Sequence, residues 1–173
     1  MIYALAEDSF LLAECVRRYR GKSALEIGVG SGIILDALED RFGFVAGTDI
    51  DLEALRLCMR KSKALLVCCD AASAFASKSW FDLILSNPPY LPDDQGAIDR
   101  TVHGGPAGIE ATVRFVTTAI PLLAPGGIIL LVISSIADSR VLDALVAESS
   151  LKRRVIKEKK LFYETLSVIE LSR

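Results

Sequence analysis

Leu25-Glu26-Ile27-Gly28-Val29-Gly30-Ser31-Gly32 is the stretch from which the rest of the chain can be ordered. Ser23–Ile27 reads as a strand and Gly32–Arg41 as an amphipathic helix, so three glycines fall on a strand-to-helix turn. Lacking a Cβ, glycine lets the backbone bend tightly and lets a ligand lie against it, beside the unpaired N–H groups that open a helix. The spacing is G-x-G-x-G. The G-x-G-x-x-G of dinucleotide binders would need a glycine where Ile33 stands, which counts against NAD. Gly21-Lys22-Ser23 is not a P-loop, because Val16 replaces its first glycine, and Val29 and Ile33 exclude a nucleophile elbow around Ser31.

Outward from this turn, strands and helices alternate. Strands are expected at Ser23–Ile27, Val45–Asp49, Leu65–Cys69, Phe81–Ser86 and Ile128–Ile133, and helices at Ser9–Arg20, Gly32–Arg41, Leu52–Ser62, Ile109–Leu123 and Asp138–Ser149. Leu151–Lys159 and Tyr163–Leu171 then follow with too few residues between them for a crossover helix, so they form an antiparallel pair. The expected fold is α/β: a seven-stranded, mostly parallel sheet with helices on both faces and an antiparallel C-terminal strand. With 173 residues, one domain spanning 1–173 is expected.

Composition narrows the function classes. Net charge is −2 and pI about 5.5, which gives no electrostatic footprint for nucleic acid. The basic run from Lys152 to Lys160 is interrupted by Val155, Ile156 and Glu158 and reads as a solvated strand face. Cys15, Cys58, Cys68 and Cys69 have no C-x-x-C spacing and are expected as core thiols; with His103 the sole histidine, no metal site is expected. Mean hydropathy is +0.40, yet no run approaches the roughly 18 apolar residues of a membrane span, and the first residues do not resemble a signal peptide. A cytoplasmic location is expected, with no membrane association.

Three acids accompany the glycines Gly28, Gly30 and Gly32. Asp49 ends the second strand 21 residues after Gly28, where a carboxylate can accept hydrogen bonds from ribose hydroxyls. Asp70 closes the third strand, where it could accept the adenine amino group, and Glu26 could face a ligand's ammonium. A plainer alternative makes Asp49 or Asp51 a helix cap, and Asp70 likewise.

Trp80-Phe81-Asp82-Leu83-Ile84-Leu85-Ser86-Asn87-Pro88-Pro89-Tyr90 is an apolar strand ending in a polar-proline-proline-aromatic turn, the expected catalytic centre. The oxygens of the Asn87 side chain and the Pro88 backbone could each accept one N–H of a planar NH2 and aim its nitrogen at an electrophilic methyl carbon. Prolines 88 and 89 fix the turn, and Tyr90 offers a face for the planar group. A hydroxyl or thiol substrate could not satisfy both acceptors. Adenine N6, guanine N2, cytosine N4 and a glutamine amide all qualify, and Asn87 is expected to contact the cofactor as well. A loop rich in Pro, Asp and Gly then runs from Asn87 to about Gly108, a length that is usually functional.

On these residues the chain resembles the HemK-like glutamine N5-methyltransferases of translation release factors, in their short archaeal and eukaryotic branch. Glu7-Asp8-Ser9-Phe10-Leu11-Leu12 resembles the branch's N-terminal motif, which closes over the cofactor. Asn87-Pro88-Pro89-Tyr90 with Gly104-Gly105-Pro106-Ala107-Gly108 resembles its central pattern, and Tyr163-Glu164-Thr165-Leu166-Ser167-Val168 its final strand. Glu110 departs from it, standing where a basic residue is expected. Bacterial members carry an N-terminal helical domain, and with 27 residues before Gly28 no such domain is expected here.

The resemblance implies a Rossmann-like class I methyltransferase fold. S-adenosyl-L-methionine (SAM) would be bound by Glu26, Asp49 and Asp70 and leave as S-adenosyl-L-homocysteine, and Asn87, Pro88 and Tyr90 would hold a glutamine amide in a Gly-Gly-Gln motif. It also implies a small zinc-binding activator protein, for which the uncharged third strand, Ala64–Cys69, is the expected docking edge. The competing readings are an RNA or DNA exocyclic-amine methyltransferase sharing the same turn, and a SAM-binding module without activity.

Overall fold

In the computed structural model, residues 7–76, 80–93 and 99–173 are described. Helix α1 (Glu7–Val16) leads into β1 (Gly21–Ile27), α2 (Ile33–Glu39), β2 (Phe42–Asp49), α3 (Leu52–Cys58), β3 (Leu65–Cys68) and β4 (Phe81–Ser86). Two short strands, β5 (Leu91–Pro92) and β6 (His103–Gly105), precede α4 (Glu110–Ala119), β7 (Leu123–Ser134), α5 (Arg140–Glu148), β8 (Lys152–Lys160) and β9 (Thr165–Ser172). The main sheet has the order β3-β2-β1-β4-β7-β9-β8. Strands β1, β2, β3, β4 and β7 are parallel, and β9 runs antiparallel to both β7 and β8. The seven-stranded sheet with an antiparallel C-terminal strand is therefore as the sequence predicts. No helix among the described residues is long and apolar enough to cross a membrane.

Alternation along the strands builds two cores. On one face, Leu25, Ile27, Ile84, Ile129 and Leu131 pack with Val116 and Ala119 of α4 and Leu142 and Val146 of α5. On the other, Ala24, Leu83, Leu85, Leu130 and Val132 meet Leu11, Leu12, Cys15 and Val16 of α1, with Leu35 and Leu38 of α2 and Cys58 of α3. Strands buried on both faces read as continuous apolar runs, which is why Leu83–Leu85 and Ile129–Ile133 stand out in the sequence.

Local differences have local causes. The helix expected to reach Leu123 stops at Ala119 and continues as one 3-10 turn, Ile120–Leu122, because Pro121 has no N–H to extend the ladder. Cys15 and Cys58 are core thiols, but Cys68 is exposed and Cys69 half-buried, so the expectation of four core cysteines fails at the sheet edge. Edge position explains it: β3 has a neighbour on one side only.

Candidate active site

Every βα turn of a parallel sheet emerges on the same edge, and here that edge opens into a cleft of about 740 Å³. The register pairs Ile27 with Ser86, so Gly28 and Asn87 leave adjacent strands side by side. The glycine turn, the Asn87–Tyr90 turn, Glu26, Asp49 and Asp70 all line this cleft. The structure thus brings together the residues singled out in the sequence, except that Gly32 lies behind the turn and does not line it.

Gly28, Gly30 and Gly32 all have positive φ, at 77°, 46° and 75°. At Gly28 the requirement is conformational, with only the Phe115 ring near a hypothetical Cβ, at 3.6 Å. At Gly32 it is also steric, since a Cβ would lie 2.7 Å from Cys58 Sγ. Asp49 holds the turn from below: its Oδ2 accepts the Gly30 N–H at 2.9 Å and its Oδ1 the Asp51 N–H at 2.8 Å. Asp51 is the cap of α3, accepting from the Glu53 N–H at 2.9 Å. The cap of α3 is therefore Asp51 and not Asp49.

Glu26 is buried at the root of the turn, and its Oε2 has no hydrogen-bond partner. Burial pushes its carboxyl well above the usual glutamate range, with the charges of Asp49 and Asp36 adding to the effect and a backbone hydrogen bond from Leu35 opposing it. Such an orphan acceptor suits a cationic ligand group. Asp70 is more open and pairs with Arg114 Nε on α4 at 3.3 Å.

Across the cleft, Asn87 Nδ2 donates to Ser9 Oγ at 3.2 Å, leaving Asn87 Oδ1 buried and unpartnered. The Tyr90 hydroxyl donates to Asp8 Oδ2 at 3.2 Å. Asp8 and Ser9 are both buried and both belong to the first turn of α1. Neither was singled out as a site residue, although the N-terminal motif contains them. Two polar residues opening an amphipathic helix look like caps, and only the fold reveals that they face a turn 78 and 82 residues further on.

The loop between Asn87 and Gly108 is shaped by β5 and β6, which pair in parallel. Residues too short for any periodicity form these strands, so the sequence gives no sign of them. Gly104 and Gly108 let the second arm of the loop lie backbone-to-backbone on the first. A Cβ on Gly104 would lie 2.3 Å from the Pro89 carbonyl oxygen, and one on Gly108 2.4 Å from that of Tyr90. Glu110 fastens this arm, its carboxylate accepting from the Ala107 N–H at 3.0 Å and the Ile109 N–H at 3.1 Å. An acid at this position therefore has a structural task that a basic side chain could not perform.

The chain matches the family model described as the methyltransferase small domain over residues 4–163. It is 31% identical to a Methanocaldococcus jannaschii protein provisionally named a protein N5-glutamine methyltransferase, over 97% of this chain and 90% of that protein. It is 36% identical to a release factor glutamine methyltransferase of Rhodospirillum rubrum, over 63% of this chain and 39% of that longer protein. Among solved structures it superposes with TM-score 0.82 on a chain of the E. cuniculi Mtq2–Trm112 complex, described as responsible for methylation of the eRF1 translation termination factor. That match has 26% identity and covers 99% of this chain and 98% of the other.

Proposed function

The chain belongs to the methyltransferase small domain family, and from that premise we propose that it methylates the side-chain amide of the glutamine in the Gly-Gly-Gln motif of a translation release factor, with SAM as donor. The observation that carries the proposal is Asn87 Oδ1: a buried acceptor without a partner, beside a glycine turn, in a chain whose relatives are named for glutamine methylation.

The residues fit SAM. Glu26 Oε2 offers an unpaired buried carboxylate oxygen for the ammonium group, and the glycine turn leaves room for the chain of the ligand. Asp49 would take the ribose hydroxyls with the lone pairs its two amide contacts leave over, and Asp70, with Arg114, closes the adenine end. When bound, SAM supplies a sulfonium-linked methyl carbon ready for in-line displacement.

The protein's part is positioning. Asn87 Oδ1 and the Pro88 carbonyl each accept one N–H of the substrate amide, orienting its nitrogen towards the methyl group. Ser9 holds the Asn87 side chain with its oxygen turned to the substrate, and Asp8 holds Tyr90. Prolines 88 and 89 keep the acceptors from relaxing away.

A partner fits the same reading. β3 is a sheet edge whose Leu65 and Cys68 are exposed, and a small zinc-binding activator would add its own strand there. A cytoplasmic location suits such a substrate. The decisive experiment is transfer of labelled methyl groups to the organism's release factor and, in parallel, to total RNA, with and without candidate activators. Label on the glutamine of Gly-Gly-Gln is expected; label in RNA alone would replace the reading with the exocyclic-amine alternative.

A further inference from the structure

The turn between β8 and β9 ends in Phe162 and Tyr163, whose exposures are 91% and 88%. Their rings pack edge-to-face with centroids 4.6 Å apart, so they form one aromatic knob. An exposed aromatic pair of this size is unusual on a surface that nothing covers.

Its place in the fold is informative. Ser134, at the end of β7, pairs with Leu166, and Lys160 pairs with Thr165, so the β8–β9 turn emerges on the edge where the Asn87 turn leaves β4. The strand order β4-β7-β9 puts two inter-strand spacings, roughly 10 Å, across the sheet between β4 and β9, and β9 begins level with Ser134, three residues beyond the Leu131 that pairs with Ser86. The hairpin is also tied to the site. Ser135 and Thr165 exchange hydrogen bonds, with the Ser135 N–H reaching the Thr165 carbonyl at 3.0 Å and the Thr165 N–H reaching Ser135 Oγ at 2.9 Å. Lys159 pairs with Glu7 at 3.2 Å, next to the Asp8 and Ser9 that hold Tyr90 and Asn87.

An aromatic pair beside a lysine-rich strand could in principle serve nucleic acid. The charges decide otherwise: Arg153, Arg154, Lys157 and Lys159 are paired with Asp143, Glu170, Glu14 and Glu7. Among the described residues only Lys152 and Lys160 of β8 lack an ion pair, too little for a phosphate track. The exposed apolar side chains near this edge extend beyond the knob. Phe10 of α1 and Ile136 after β7 are exposed as well.

We propose that the Phe162–Tyr163 knob is a docking element for the protein substrate, gripping an apolar patch of it beside the modified loop. At about 3.3 Å per extended residue, the gripped surface lies three or more residues from the glutamine, or on a neighbouring segment. The inference rests on the release-factor reading of the site and adds the surface that selects the folded substrate.

The test compares wild type with Phe162→Ser/Tyr163→Ser and with Phe162→Leu/Tyr163→Phe, using full-length release factor and a pentapeptide centred on Gly-Gly-Gln. For the serine variant, KM for the release factor should rise tenfold or more with kcat unchanged, activity on the pentapeptide should stay at the wild-type level, and the leucine/phenylalanine variant should recover most of the loss. An unchanged KM for the release factor overturns the docking role while leaving the assigned reaction intact. Wild-type enzyme that leaves release factor unmethylated but labels RNA, with KM for RNA raised in the serine variant, overturns the protein occupant along with the reading beneath it. Thermal melting of both variants, expected at the wild-type temperature, shows that the fold is not what changed.

Discussion

Among the four buried side-chain oxygens without partners in the described residues are Glu26 Oε2 and Asn87 Oδ1, and each makes a different prediction. Replacing Asn87 with Ala should lower kcat by roughly a hundredfold or more, the scale seen when a group aimed at a reacting centre is removed, while SAM affinity changes little. Single-turnover kinetics and calorimetry separate the two effects. Glu26 acts in opposite senses on folding and binding. Its carboxyl holds its proton more tightly in the native protein than in the unfolded chain, so the stability that goes with the protonated form is complete below the ordinary glutamate value. That stability is lost as pH rises from there through the raised native value. In Glu26→Gln the loss should vanish, so the melting temperature of the ligand-free variant should exceed that of wild type by a margin that grows across this window, while SAM binding weakens. A margin independent of pH would show that the carboxyl does not titrate there. Of these two residues, the sequence pointed to Asn87 by its place in a rigid turn and to Glu26 by its place before the glycines. The raised proton affinity needs the burial that only packing creates.

Elements decide how precisely the Asn87 turn is held. α1 grips it through Asp8 and Ser9, and the 104–108 arm lies directly on its carbonyls. Gly108 has φ of +73°, so Gly108→Ala should cost about 1–2 kcal/mol from the left-handed backbone alone, and more from the contact with Tyr90. The expected readout is a lower melting temperature together with a reduced kcat on pentapeptide, because the strained arm pushes on the turn. A drop in stability at unaltered kcat would mean that the arm does not position the turn. Long, strongly patterned elements were legible in the sequence: the seven main strands and five helices rest on apolar runs and periodicity. β5 and β6 were not, since two- and three-residue strands carry no pattern, and the Asp8 and Ser9 contacts were not, since they join segments some eighty residues apart.

At the scale of the whole molecule, the two edges of the sheet differ in kind. β8 is charged and its cations are largely paired, whereas β3 carries no charge and exposes Leu65 at 51%. Edges without charges invite pairing with another chain. Leu66 packs on the core close to Gly47, so a change there would act on folding as well as on the edge. Leu65→Lys is the clean probe: it should abolish co-purification of an activator from native cells, or dimerisation if a second copy takes the place, without lowering the melting temperature. A chain that recovers no partner and is fully active alone would leave the edge without a function.

Both oxygens of Asp49 are engaged by backbone amides of its own chain. The glycine turn is consequently set during folding, and little ordering remains for the moment of encounter. In kinetic terms, association should be a single second-order phase whose rate climbs linearly with ligand concentration, with no plateau from a slow loop rearrangement. The Gly30 amide should exchange its hydrogen slowly before ligand is added and hardly more slowly afterwards. Asp49→Ala would convert that lock into a hinge, bringing fast exchange at Gly30 and a saturating association rate even where the final affinity falls by only about 1–3 kcal/mol.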